Sequence, residues 1–278
     1  MVKEEEIPLF FIFILVMAKL YTFGCSYTKY LWPTWANIIA THYDYNHHFN
    51  CAQPGAGNYY IAEKLYEMHL KFGITKEDSI IIMMTSANRF DVYDPKEQAF
   101  KLNGNVYNSE HIFGEKFVNE VWNDEHSIYN TWFMVKAMDS LLKGIGCKYK
   151  IVQAFDLGYL DTGHPLNSDE NTDRLIKDYY KTVYNKETLQ SYSKQYNPTS
   201  YFFEDIQKLD GHPTIMCNHD FVKEHLSEFY HPQMLEIATM WENEMPKNNY
   251  QLETRNNFEI QDFKFSKLKI PHPPKQLF

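Results

Sequence analysis

The sequence predicts an α/β protein: a three-layer α/β/α sandwich around a mostly parallel central sheet, with helical and loop insertions. Two observations predict it. Short apolar runs alternate with amphipathic helical segments along most of the chain, the pattern of strands joined by crossover helices. One run, residues 79–85 (SIIIMMT), is apolar almost throughout, as a central parallel strand covered on both faces should be.

Taken in order, residues 19–24 read as the first strand and 35–42 as a helix following Pro33. Residues 47–52 form a short second strand. Residues 58–72 are an amphipathic helix with Ile61, Leu65, Met68 and Phe72 along one face. The run 79–85 is the third strand, 127–143 a further helix, and 148–155 (KYKIVQAF) a further strand. Two polar segments, 93–125 and 156–201, interrupt this rhythm, the second with a helical centre, and both read as insertions in one domain spanning 17–246. A tail, 247–278, follows.

Residues 1–16 stand apart. The apolar run 7–18 is too short for a typical membrane-spanning helix, and its flank carries Glu4, Glu5 and Glu6 where a secretory signal is positive. Met17-Ala18-Lys19 reads as an alternative start. The expectation is a mis-called extension, with a genuine hydrophobic anchor, and hence a membrane association, as its competitor.

Composition narrows the class of function. A chain of 278 residues with 44% hydrophobic content can bury a sizeable core. A net charge of −9 argues against a nucleic-acid binder, which carries a basic face. The 21 tyrosines and 20 phenylalanines belong mostly to the core, although exposed rings suit sugars and flat organic ligands. Cys25, Cys51, Cys147 and Cys217 are far apart and lack metal-ligand spacing, which reads as reduced thiols in a cytoplasmic protein. No metal or cofactor is implied. His47, His48, His219, His225 and His231 likewise lack a metal-ligand pattern.

Chemistry-bearing residues gather at the carboxyl ends of the expected strands, where parallel sheets present ligands. After the first strand comes YTFGCSYT, with Gly24, Cys25, Ser26 and Tyr27. After the second comes NCAQPGAGN, with Asn50, Gly55, Gly57 and Asn58. After the third comes TSANRFD, with Asn88 and Arg89, and near the C-terminal part KLDGHP, with Asp210 and His212. Each fragment has an ordinary reading: Ser26 and Asn58 as helix N-caps, the glycines as turn residues, and Asp-Gly-His-Pro as a plain turn. Arg89 fits a clamp for a substrate carboxylate or phosphate, or an internal salt bridge. Trp32, Trp35 and Tyr59 are core rings or the lining of a sugar pocket.

Together and in this order, the fragments resemble the SGNH (GDSL-like) hydrolase family, over residues 19 to about 228. The resemblance implies that family's flavodoxin-like architecture, a nucleophile at Ser26, oxyanion-hole donors at Ser26, Gly55 and Asn88, and an Asp210–His212 pair completing a triad. Asn58, Arg89 and Tyr27 fall where substrate contacts are expected. The sequence departs from the family pattern at four places. Cys25 stands in place of an aspartate, Ser86 in place of a glycine and Arg89 in place of an aspartate. The last motif, Asp-x-His, is one residue shorter than usual.

The residue chemistry agrees with those roles. A serine hydroxyl attacks only when a base takes its proton, and a histidine titrating near neutrality does that. Cys25 is intrinsically the better nucleophile, but strand alternation turns it away from Ser26 and into the core. The expected activity is hydrolysis of a small-molecule or glycan ester, with a carbohydrate O-acetyl ester favoured. The alternatives are a catalytically silent carbohydrate-binding or structural protein on the same fold, and an acyltransferase using the same site.

Overall fold

The structure, a computed structural model, describes residues 18–42, 47–97, 99–107, 114–155, 188–193, 200–203 and 208–245. The expected N-terminal extension, the C-terminal tail and most of the second polar segment lie outside the described residues.

The chain opens with β1 (Leu20–Phe23), α1 (Trp35–Ala40), β2 (His48–Asn50), α2 (Asn58–Phe72) and β3 (Ser79–Met84). Next come β4 (Arg89–Asp94), β5 (Ala99–Asn105), α3 (Gly114–Glu120), α4 (Asp124–Ile145) and β6 (Lys148–Gln153). The rest comprises α5 (Leu189–Ser193), β7 (Ser200–Phe203), β8 (Lys208–Pro213), α6 (Ile215–His225), a 3₁₀ turn (Ser227–Phe229) and α7 (Gln233–Glu244).

Four strands form an entirely parallel sheet in the order β2-β1-β3-β6. Every residue of β1 and β3 is buried, which is why SIIIMM can dispense with polar alternation. Asp78 sets the register at the amino ends: one carboxylate oxygen accepts from Lys19 N at 2.9 Å, and Ser79 N donates to Lys19 O at 2.8 Å. Helices flank the sheet in two groups. α2 and α4 pack on each other and against the strands, while α1 packs with α6 and α7. The apolar face of α2 contributes Ile61, Leu65 and Met68 to one continuous core. This is the α/β/α arrangement that the sequence predicts.

The first polar segment holds more structure than a loop insertion. β4 and β5 form an antiparallel hairpin that begins at Arg89, inside the third motif and ahead of the polar segment. α4 starts at Asp124, earlier than the apolar pattern indicates, because the Asn123 side chain caps it by accepting from His126 N at 2.7 Å. The Asp-Gly-His-Pro motif is a strand, pairing antiparallel with β7. Among the described residues, no helix is long and apolar enough to cross a membrane.

Candidate active site

The chain leaves β1 for β2 on one side and returns to β3 on the other, so β1 and β3 are neighbours whose connections diverge. A crevice at the carboxyl ends of such a pair is where open α/β sheets bind ligands. Ser26 and Asn88 follow these two strands.

The turn carrying Ser26 is tight. Cys25 O accepts from Thr28 N at 2.9 Å and from Lys29 N at 3.1 Å. Gly24 is required by close approach, since a Cβ there would lie 2.0 Å from Thr28 Oγ1 and 3.2 Å from Met83 O. Cys25 is fully buried among core side chains, whereas Ser26 keeps 6% of its surface. Lys29, just beyond the turn, is buried, and desolvation pulls its ammonium down to about 8.

The second motif extends the sheet edge through Cys51 N to Thr22 O at 2.8 Å and Gln53 N to Gly24 O at 3.2 Å. Gly55 then turns with φ +81°, a left-handed conformation that favours glycine, and a Cβ there would come 2.9 Å from Leu102 O on the hairpin. The Asn50 amide donates to Thr28 O at 3.3 Å, tying this loop to the Ser26 turn. Asn58 is buried and its amide is consumed internally. It donates to Thr85 O at 2.9 Å and Thr131 Oγ1 at 3.2 Å, and accepts from Thr85 N at 2.8 Å. It locks α2 to the end of β3 and to α4.

At the end of β3, the Ser86 hydroxyl accepts from Asn88 N at 3.2 Å, and Asn88 O accepts from Val106 N at 2.9 Å. The backbone of Asn88 is thereby fixed, while its half-buried side-chain amide has no hydrogen bond to a described residue. Arg89 Nη1 donates to Ala56 O at 3.1 Å, and the guanidinium lies 5.4 Å from the centre of the Phe155 ring. Among the described residues it has no ion pair within 4 Å, although its charge acts on the Asp91 carboxyl and favours the ionised form.

His212 is brought to the Ser26 turn by contacts on either side of it. Tyr27 OH donates to Gly211 O at 3.0 Å, and Trp32 Nε1 donates to Pro213 O at 2.9 Å. The imidazole stacks on Tyr30, with ring centres 3.6 Å apart and planes 19° apart, and lies 5.2 Å from the Tyr27 ring. Tyr27 also meets Phe155 at 4.7 Å. A chain of contacts thus runs from His212 through Tyr27, Phe155 and Arg89 to Ala56, joining all four motifs at one edge of the sheet. No hydrogen bond joins Ser26 to His212 among the described residues. The backbone of Asp210 lies in β8, two positions from His212, and its side chain is outside the described residues.

Of the competing residues, only Trp32 touches this region, through its bond to Pro213 O, among the described residues. Trp32 and Trp35 are core rings at 3% and 0% exposure, while Tyr59 is exposed at 59%. His219 is buried on α6, its Nδ1 2.7 Å from Asp220 Oδ1 and its Nε2 without a hydrogen-bond partner among the described residues. His48 is buried beneath Thr22, and His231 stacks on His42. Among the described residues, no group of three or more potential ligands is placed to hold a metal ion. One residue of this region escapes sequence reasoning altogether. Asp91, on β4, reaches back to the glycine loop and accepts from Gly57 N at 2.7 Å and Tyr60 N at 2.9 Å.

No family model and no curated protein sequence matches this chain. Among solved structures, it is similar to a GDSL-like lipase from Bacteroides thetaiotaomicron VPI-5482, at 15% identity and a TM-score of 0.33, covering 76% of this chain and 86% of that one. It is also similar to the protein YXIM from Bacillus subtilis, at 14% identity and a TM-score of 0.35, covering 84% of this chain and 58% of that one. At such distances, neither likeness bears on the chemistry of this chain.

Proposed function

We propose that this chain is a serine-dependent carboxylic-ester hydrolase, acting on a small-molecule or carbohydrate O-acetyl ester. The observation that carries the reading is the contact chain from His212 through Tyr27, Phe155 and Arg89 to Ala56, which gathers four sequence motifs around the ends of β1 and β3.

In this reading, Ser26 Oγ attacks the acyl carbon while His212 takes its proton and then returns it to the departing alcohol. Water, activated by the same imidazole, cleaves the acyl-serine. Asp210 holds the imidazole in the working tautomer. The tetrahedral oxyanion is received by the N–H groups of Ser26 and Gly55 and by the Asn88 amide, which is left open by its surroundings. One such donor lowers the barrier by about 3–4 kcal/mol. Substrate entry draws Ser26 and His212 into hydrogen-bond reach, a tightening common between free and substrate-bound enzymes.

The test is turnover of a chromogenic acetyl ester by the purified protein, with Ser26→Ala and Cys25→Ala alongside. Ser26→Ala should lose about three or more orders of magnitude in turnover, and Cys25→Ala should keep most of it. Loss in Cys25→Ala alone would give the chemistry to the thiol. A protein that turns over no ester yet binds glycans would favour the silent reading, for which the missing Ser26–His212 bond and the short Asp-x-His spacing speak.

A further inference from the structure

Arg89 and Asp91 stand two residues apart on β4, on either side of an irregular step in its pairing with β5, and both side chains reach the same loop, the one after β2. Arg89 Nη1 donates to Ala56 O at 3.1 Å, and Asp91 Oδ1 accepts from Gly57 N at 2.7 Å. Those two groups belong to a single peptide unit. A cation grips its carbonyl and an anion grips its N–H.

The other contacts of the hairpin with this loop act in the same sense. The second oxygen of Asp91 accepts from Tyr60 N at 2.9 Å, in the first turn of α2. Gly57 makes room for the carboxylate, since a Cβ there would lie 2.7 Å from Asp91 Oδ2. Leu102 O, on the partner strand β5, closes over Gly55 at 2.9 Å from where its Cβ would be. Because a peptide unit is planar and rigid, holding both ends of Ala56–Gly57 fixes its plane, and Ala56 N donating to Gln53 O at 3.1 Å fixes the unit before it, so Gly55 turns between anchored neighbours. Capping of α2 explains the bond to Tyr60 N, but it does not explain a guanidinium on Ala56 O.

We propose that Arg89 and Asp91 form a positioning clamp that aims the Gly55 N–H at the acyl oxygen of the substrate, which makes the β4–β5 hairpin part of the working site. The inference rests on the ester-hydrolase reading above. An oxyanion donor acts where charge develops in the transition state, so loosening the clamp lowers kcat and spares KM.

The experiment is steady-state kinetics on a chromogenic acetyl ester with Arg89→Gln, Asp91→Asn, the double variant, Arg89→Lys, and Asp94→Asn as a carboxylate at the far end of the same strand, paired with Lys101 and away from the glycine loop. Each variant is melted in parallel. Arg89→Gln and Asp91→Asn should each lower kcat about tenfold to a hundredfold, part of what a whole donor supplies, with KM within about twofold. The double variant should fall no more than about threefold below the worse single one, because both side chains hold one peptide unit. Arg89→Lys, which keeps a charged donor, should recover part of the loss, and Asp94→Asn should turn over like the parent. Variants that melt earlier yet keep the parent kcat would reduce the pair to a structural brace and overturn the inference. A rise in KM at constant kcat would make Arg89 a ground-state substrate contact, which also overturns it. If Asp91→Asn does not fold, the Arg89→Gln and Arg89→Lys pair decides alone. A parent protein without ester turnover removes the underlying reading and the clamp with it, whereas an active parent with indifferent variants removes the clamp only.

Discussion

His212 has its imidazole plane set by a ring, Tyr30, stacked at 3.6 Å, and its backbone neighbours tethered by Tyr27 and Trp32. In the usual triad the carboxylate sets that orientation. On the proposed ester-hydrolase reading, the aromatic stack shares that task and offsets the shortened Asp-x-His motif. Tyr30→Ala should therefore lower kcat about tenfold, a fraction of the 10²–10⁴ that general acid–base catalysis supplies, while Tyr30→Phe, which keeps the stacked face, should stay near the parent. His212→Ala should approach the loss of Ser26→Ala, and Asp210→Asn should cost less because the base survives. Single-turnover measurements of acylation would check all four. A Tyr30→Ala protein as active as the parent would return the orienting role to Asp210 alone.

At the level of elements, what was legible depends on which surface each element faces. α2 runs over Asn58–Phe72, as its periodicity indicates, because glycines mark both ends and Gly73 ends it with φ 61°. β3 was legible because both of its faces are apolar. β4 was not, since RFDVYD turns charged residues inward, and Arg89 and Asp91 grip the backbone of the glycine loop instead of a core. A strand that is half-buried at charged and apolar positions alike gives no apolar alternation to detect. Asp-Gly-His-Pro was equally opaque, because glycine, proline and aspartate are poor strand formers and only pairing with β7 extends them. Among the candidate site residues, Ser26 and Asn88 follow the ends of β1 and β3, while Asn58 fastens α2 to β3 and α4. Asn58→Ala would leave the N–H and C=O of Thr85 unsatisfied in a buried place, and should destabilise the fold by about 2–4 kcal/mol. Urea denaturation would measure it, and a change under about 0.5 kcal/mol would mean that water or a neighbour replaces the amide.

Over the whole molecule, an excess of negative charge at neutral pH does not by itself set the response to acid; the sign of each buried group's shift does. His48 lies wholly buried on β2, at the edge of the sheet, with Nε2 3.1 Å from Thr22 Oγ1, and desolvation lowers its pKa from 6.5 to about 4. The fold therefore keeps this ring neutral where the unfolded chain protonates it. A lowered folded value contributes stability that is present above pH 6.5 and is lost as the pH falls towards about 4. Asp91 has the opposite sign: burial raises its pKa, so the fold holds its proton more firmly than the unfolded chain does, and acid does not weaken stability through this group. Acid lability between pH 7 and pH 5, above the range where the lowered carboxyls of Glu67 and Asp94 titrate, should thus be traceable to the His48 edge of the sheet. Between pH 7 and pH 5, His48 alone should remove about 2 kcal/mol, a large share of the 5–15 kcal/mol that holds a domain together. His48→Gln keeps a hydrogen-bonding partner for Thr22 but cannot be protonated, so it should lose that much less stability over the same interval. Urea midpoints of the two proteins at pH 7, 6 and 5 give the comparison. Parallel declines would show that water reaches the ring, and that β2 opens before the sheet does.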